Sequence, residues 1–221
     1  MSRSFCSLAM TSLLFLVSSC LGQDKGGVDQ TVAMPAVHKI LSSAHLSGSL
    51  EFWGLCDISK PRPDFLKLRP LSGHEGSTRA ALAEMFANDP KMRVIQERDG
   101  KIRMVETDVP RDFLEIKIHH LAFSAGAHGP GMAVMNILHS QEVVDFMTAH
   151  NVVPKAGWGL PTDVIFIHKP SVIGELNEVT VAEALDYVLL TFPGFWIYQN
   201  CHDQDGRRSV LIGFRQNMET E

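Results

Sequence analysis

Beyond residue 17 the sequence has no apolar run close to the ~20 residues that a membrane-spanning helix needs. The chain after that point is therefore not expected to cross a bilayer. Basic residues are not in surplus either: 20 Lys+Arg stand against 25 Asp+Glu, a formal charge of −5. A nucleic-acid surface would show a basic stripe, so no nucleic-acid partner is expected. Familiar chemical motifs are missing as well. There is no H-E-x-x-H and no paired Cys/His spacing for zinc. There is no G-x-S-x-G, G-x-x-x-x-G-K-[ST] or G-x-G-x-x-G. No metal, cofactor or catalytic residue is expected from the pattern. Cysteine is scarce, four in all, and this limits covalent cross-linking to very few pairings.

What is present starts at the N-terminus. Arg3 precedes an apolar run from Leu8 to Val17, and small residues Ser18 and Ser19 follow. A charged start, a short apolar stretch and a small-residue zone predict a secretory signal over residues 1–22. Val17-Ser18-Ser19-Cys20 resembles the lipobox of bacterial lipoproteins. That resemblance implies acylation of Cys20. With Leu21 rather than an aspartate after it, it also implies the outer membrane. The other reading, cleavage near Gly22 to release a soluble periplasmic or secreted protein, stays open. Contact with a membrane would come only through such a lipid anchor.

Cys56 and Cys201 remain beyond the signal. In an oxidising compartment they are expected to pair. Each ends an aromatic run, Phe52-Trp53-Gly54-Leu55 and Phe195-Trp196-Ile197-Tyr198. A bond between them closes a long loop, worth roughly 4–5 kcal/mol by chain entropy. His202 adjoins Cys201, but strand neighbours point to opposite faces, so an activated thiol is not expected.

Hydrophobic content of 45% and charged content of 20% fit a globular protein. Residues 23–36 are polar and read as a flexible spacer, with a short helix over Val37–His45. Ser49–Leu55 reads as a strand. Ser77 is a candidate N-cap for a helix carrying Ala81, Leu82 and Met85, stopped by Asn88-Asp89-Pro90. Met92–Gln96 and Ile102–Val105 form a hairpin about Asp99-Gly100. Asp112–Phe123 reads as helix passing into strand. A second helix is expected over Met132–His150, then loop over Pro154–Pro161 and a strand over Val164–Ile167. Thr180-Val181-Ala182-Glu183 is a capping-box pattern opening a helix to Leu190. Phe195–Gln199 and Ser209–Phe214 form a last hairpin about Asp205-Gly206.

Two stretches follow one order. Ala81-Leu82 answers Ala184-Leu185, and Pro90 answers Pro193, both at the same offset. Helix, proline stop, strand, Asp-Gly turn and strand follow each time. The expected class is α+β, mostly antiparallel sheet with helices packed on one face, in two units at 37–125 and 126–221.

The second unit resembles the short N-terminal domain of bacterial secretins and TonB-dependent receptors. Leu176-Asn177-Glu178-Val179-Thr180-Val181-Ala182-Glu183-Ala184-Leu185-Asp186 carries the likeness: strand end, helix start, then hairpin. It covers residues 132–214, with the 132–150 helix and the 164–167 strand in the places of the family's first helix and strand. The resemblance implies a periplasmic protein-interaction module without catalytic residues. No pore or barrel segment follows Phe214, so it implies a stand-alone module with an envelope protein as partner.

Histidines supply the competing chemistry. His119, His120 and His128 lie close in sequence and could serve a small exported enzyme. His139 and His150, on the expected helix, would stand about 16 Å apart along its axis and share no metal. Ser124 to Gly131 is a Gly-rich loop holding His128, and such loops can bind anions through backbone N–H groups. Trp158, between Gly157 and Gly159, could be a loop-borne binding contact. A pocket lined only by apolar groups would instead mark a periplasmic ligand carrier.

Overall fold

The computed structural model describes residues 30–55, 76–123, 127–156, 170–203 and 205–217. The first element, α1 (Gln30–Ser43), begins inside the expected spacer. Met34, Val37 and Leu41 repeat at helical spacing and are buried, which holds residues 30–36 in the helix. Strand β1 (Gly48–Leu55) follows. Next come α2 (Thr78–Met85), β2 (Met92–Gln96) and β3 (Ile102–Glu106). Ser77 does cap α2, its Oγ accepting from Ala80 N–H. Gly100 makes the hairpin turn at φ +91°, a left-handed angle that glycine adopts without penalty.

Asp112–Phe123 holds no helix. Turn residues lead into β4 (Lys117–Phe123). The expected helix 132–150 is two helices, α3 (Pro130–Leu138) and α4 (Gln141–Ala149). The break lies at Ser140, whose backbone is extended and whose hydroxyl donates to Ile137 O at 2.8 Å. Serine competes for backbone partners in this way and favours caps over helix interiors.

Strand β5 (Val153–Ala156) occupies part of the expected 154–161 loop. The expected strand at 164–167 lies outside the described residues. Strand β6 (Gly174–Thr180) leads into α5 (Val181–Thr191). The capping box is present: Thr180 Oγ1 accepts from Glu183 N–H, and Glu183 accepts from Thr180 N–H. The last hairpin is β7 (Gly194–His202) and β8 (Arg208–Gln216).

The fold is α+β, as expected. Six strands form one sheet in the order β2-β3-β1-β7-β8-β5, and β4 pairs with β6 separately. Both hairpins and the β4–β6 pair are antiparallel, while β1 runs parallel to β3 and to β7, and β5 to β8. Sheet order exposes the repeat directly. Hairpin then leading strand, β2-β3-β1, is followed by hairpin then leading strand, β7-β8-β5.

Within each unit the helix before the hairpin covers one face of that hairpin. In the joined sheet these are opposite faces. Phe195 and Ile197 of β7 pack with Leu50, Phe52, Leu82, Met85 and Ile102. Trp196 and Tyr198, pointing the other way, pack with Val134, Ile137, Val188 and Phe214. Both faces of β7 are therefore buried, which is why it reads as an unbroken apolar and aromatic run.

Candidate functional site

Cys20, Cys56 and Trp158 lie outside the described residues. Cys201 is buried on β7. Its neighbour His202 is exposed, on the other face as strand alternation requires.

His119, His120 and His128 each have a different partner. His119 and His120 are both exposed on β4. His119 Nδ1 lies 2.7 Å from Glu178 Oε1, and its backbone N–H donates to Glu142 Oε1 at 3.0 Å. His120 Nδ1 lies 3.0 Å from Asn177 Oδ1. His128, exposed after the Gly-rich loop, lies 2.6 Å from Ser171 Oγ. His139 and His150 close separate helices, α3 and α4. His150 stacks on Phe146 at 4.1 Å between ring centres.

Glu178 stands opposite His119 with φ +57°, where a non-glycine residue is strained. The β4–β6 ladder pairs Ile118 with Val179 and His120 with Asn177 but omits this pair. The Glu178 carboxylate instead reaches Lys117 at 2.6 Å and His119. Lys117, and then His119, hold its carboxyl below the ordinary range. Among the described residues no group of three or more His, Cys, Asp or Glu is placed to hold a metal ion.

The charged groups that sequence reasoning missed lie inside, beneath α5. Asp186 of α5 and Arg103 of β3 are both buried. Arg103 forks onto both Asp186 oxygens and also donates to Glu97 at 2.9 Å. Lys101 Nζ reaches Asp186 at 2.7 Å, and Trp196 Nε1 donates to it at 2.8 Å. Ser49 Oγ continues the chain to Glu51 at 3.1 Å. Glu51 is fully buried, and burial pushes its carboxyl up against the opposing pull of Arg111. Arg111 Nε lies 2.8 Å from Glu51 Oε2 but out of hydrogen-bond alignment, so the contact is an ion pair. This network joins the two repeated units. Asp186, Arg103 and Glu51 are buried within it, while Glu97, Lys101 and Arg111 reach its partly exposed rim.

The outer surface offers apolar groups instead. On α3, Met132 is 53% exposed and Met135 45%. Leu190 of α5 is 77% exposed, and Ile173, just before β6, 68%. α3 packs against α5, and Tyr187 of α5 donates to Ile173 O at 2.9 Å. All four side chains belong to the second unit. The signal was available in α5. With Val181, Ala184, Leu185, Val188 and Leu189 inward, 3.6-residue spacing sets Glu183, Tyr187 and Leu190 outward.

No family model, no curated protein and no solved structure matches this chain.

Proposed function

We propose that this is an exported cell-envelope protein that acts by binding another protein and performs no chemistry of its own. The observation that supports this reading is the exposure of four large apolar side chains of the second unit, Met132, Met135, Ile173 and Leu190. Large apolar side chains left exposed offer contact surface to a partner, and methionine adapts to varied partners. The resemblance of residues 132–214 to the periplasmic module of secretins and receptors points the same way. In this reading the 1–22 signal directs export, Cys20 carries lipid, and Cys201 pairs with Cys56.

The test is in-cell cross-linking and affinity purification from the envelope fraction, comparing the parent with Leu190→Asp. Leu190 makes little contact with the core, so the variant folds. A stoichiometric protein partner, lost in the variant, supports the proposal. Recovery of the chain alone from both would overturn it. Intact mass on the same sample reads acylation at Cys20 and the loss of two protons on forming a Cys56–Cys201 bond.

A further inference from the structure

The six-stranded sheet has two outer edges, and they differ chemically. Along β2, Glu97 N–H donates to Lys101 O at 2.8 Å, and Thr107 N–H donates to Lys91 O at 2.9 Å. Alternation in an antiparallel ladder turns the amide groups of Arg93 and Ile95 toward β3. Those of Met92, Val94 and Gln96 point outward. Met92 N–H is taken by Asp89 O, and Val94 O accepts from Arg79 Nε at 3.4 Å. Among the described residues no strand pairs with this side of β2. Ile95, 48% exposed, adds an apolar side chain there.

The other edge is blocked. Asp203 N–H donates to Arg207 O, so β8 turns its odd-numbered residues to β7 and its even-numbered ones, Val210 and Ile212, to β5. The parallel register sets Pro154 beside Val210. In that register the amides of Val153 and Lys155 face β8, and Pro154 faces outward. Proline has no N–H to give. A four-residue strand with proline and lysine is a protected edge.

The repeat shows that an edge of the β2 kind is made to be paired. Its counterpart, β7, has β1 along the same side. A head-to-tail chain of copies would set β5 on β2 and grow without closing, and Pro154 opposes it. Among the described residues β2 is the edge left open, which favours the self-complementary, closed solution.

We propose that β2 pairs antiparallel with β2 of a second copy about a two-fold axis at Val94, joining the two sheets. In that register Arg93 faces Ile95 of the second copy and Met92 faces Gln96. No like charges stand opposite one another, which would destabilise the pair.

The test uses the full chain at low and high concentration, by sedimentation equilibrium and amide hydrogen exchange. At high concentration twice the chain mass is expected. The Val94 and Gln96 amides then exchange more slowly, while that of Ile95, already held by β3, does not change. Val94→Pro removes an outward N–H and no β3 ladder bond, and raises the dimer Kd by about tenfold or more. Ile95→Lys, at an exposed position, sets a cation opposite Arg93 and weakens the dimer similarly without lowering the melting temperature. A chain that stays monomeric at every concentration, or a dimer indifferent to both variants, overturns the proposal.

Discussion

Asp186→Ala is the most informative single change, because Asp186 is the point at which the two units share charge. The carboxylate accepts from Arg103, Lys101 and Trp196. Removing one partner of a buried ion pair costs about 3–5 kcal/mol. Leaving the Trp196 N–H without an acceptor adds ~1–3 kcal/mol. Two contacts lower the total. Arg103 keeps Glu97, and Lys101 keeps Asp99 at 2.8 Å. The net expectation is about 3–4 kcal/mol, a large share of a domain stability of ~5–15 kcal/mol. Arg103→Met with Asp186→Leu is the control. Replacing both charges by apolar groups of like size is often close to neutral, so the double variant is expected to be more stable than Asp186→Ala alone. The assay is urea unfolding of all three proteins, read as a change of midpoint at constant slope. An alanine cost below about 1 kcal/mol would refute the reasoning. So would a double variant less stable than Asp186→Ala.

Thr180→Ala removes the cap that Glu183 N–H uses and is expected to cost about 1 kcal/mol, measured by the same unfolding. Gly194→Ala is far worse: a Cβ there would lie 1.9 Å from Arg215 O, at φ +149°, so β7 and β8 must separate and soluble yield should collapse. Burial pushes the Tyr198 hydroxyl up to about 12 from 10.0. The fold favours the neutral phenol, so this contribution is complete below the unfolded value and is lost as pH rises from 10 to 12; stability measured across that range should fall less in Tyr198→Phe. Glu51 is likewise raised from 4.5 by burial. Its contribution is present below that value and is lost as pH rises through the folded value, so Glu51→Gln should gain on the parent in unfolding free energy as pH rises above 4.5.

Local chemistry made much of the fold legible. The Ser77 and Thr180 caps, both Asp-Gly turns and five strands of the six-stranded sheet followed from residue type and spacing alone. The failures have identifiable causes. Residues 30–36 carry no strong helix signal, and their helix is held by tertiary burial of Met34 and Val37. Ser140 interrupted an apolar period that otherwise ran on, and the period alone could not reveal a side chain bonding Ile137 O. Strand β5 contains Pro154, which argues for loop anywhere except at a sheet edge. The site was less legible. Arg103 and Asp186 stand 83 positions apart and look like ordinary surface charges until β3 and α5 are brought together. The clustered histidines, close in sequence, are dispersed by the β4–β6 ribbon onto separate partners.

The repeat explains why charge had to be buried at this seam. The first unit presents its leading strand β1 to β7, the outer strand of the second hairpin. β5, the counterpart of β1, runs opposite in direction to β1, because β8 is antiparallel to β7 and parallel to β5. The second unit is thus the first turned over about an axis lying across the strands and moved along by three. Turning it over sends α5 to the face opposite α2. The face of β3 and β1 that α2 leaves bare meets Arg111 of the first unit and the overhanging second unit. There the first unit supplies Ser49, Glu51 and Arg103, and the overhanging unit supplies Asp186 and Trp196. An apolar seam would be satisfied by any sliding of one unit on the other. A bidentate arginine, with an indole N–H on the same carboxylate, is satisfied at one register. On this argument the cluster contributes position more than energy. The double variant described above should therefore keep most of its stability while broadening the side-chain NMR signals of Trp196.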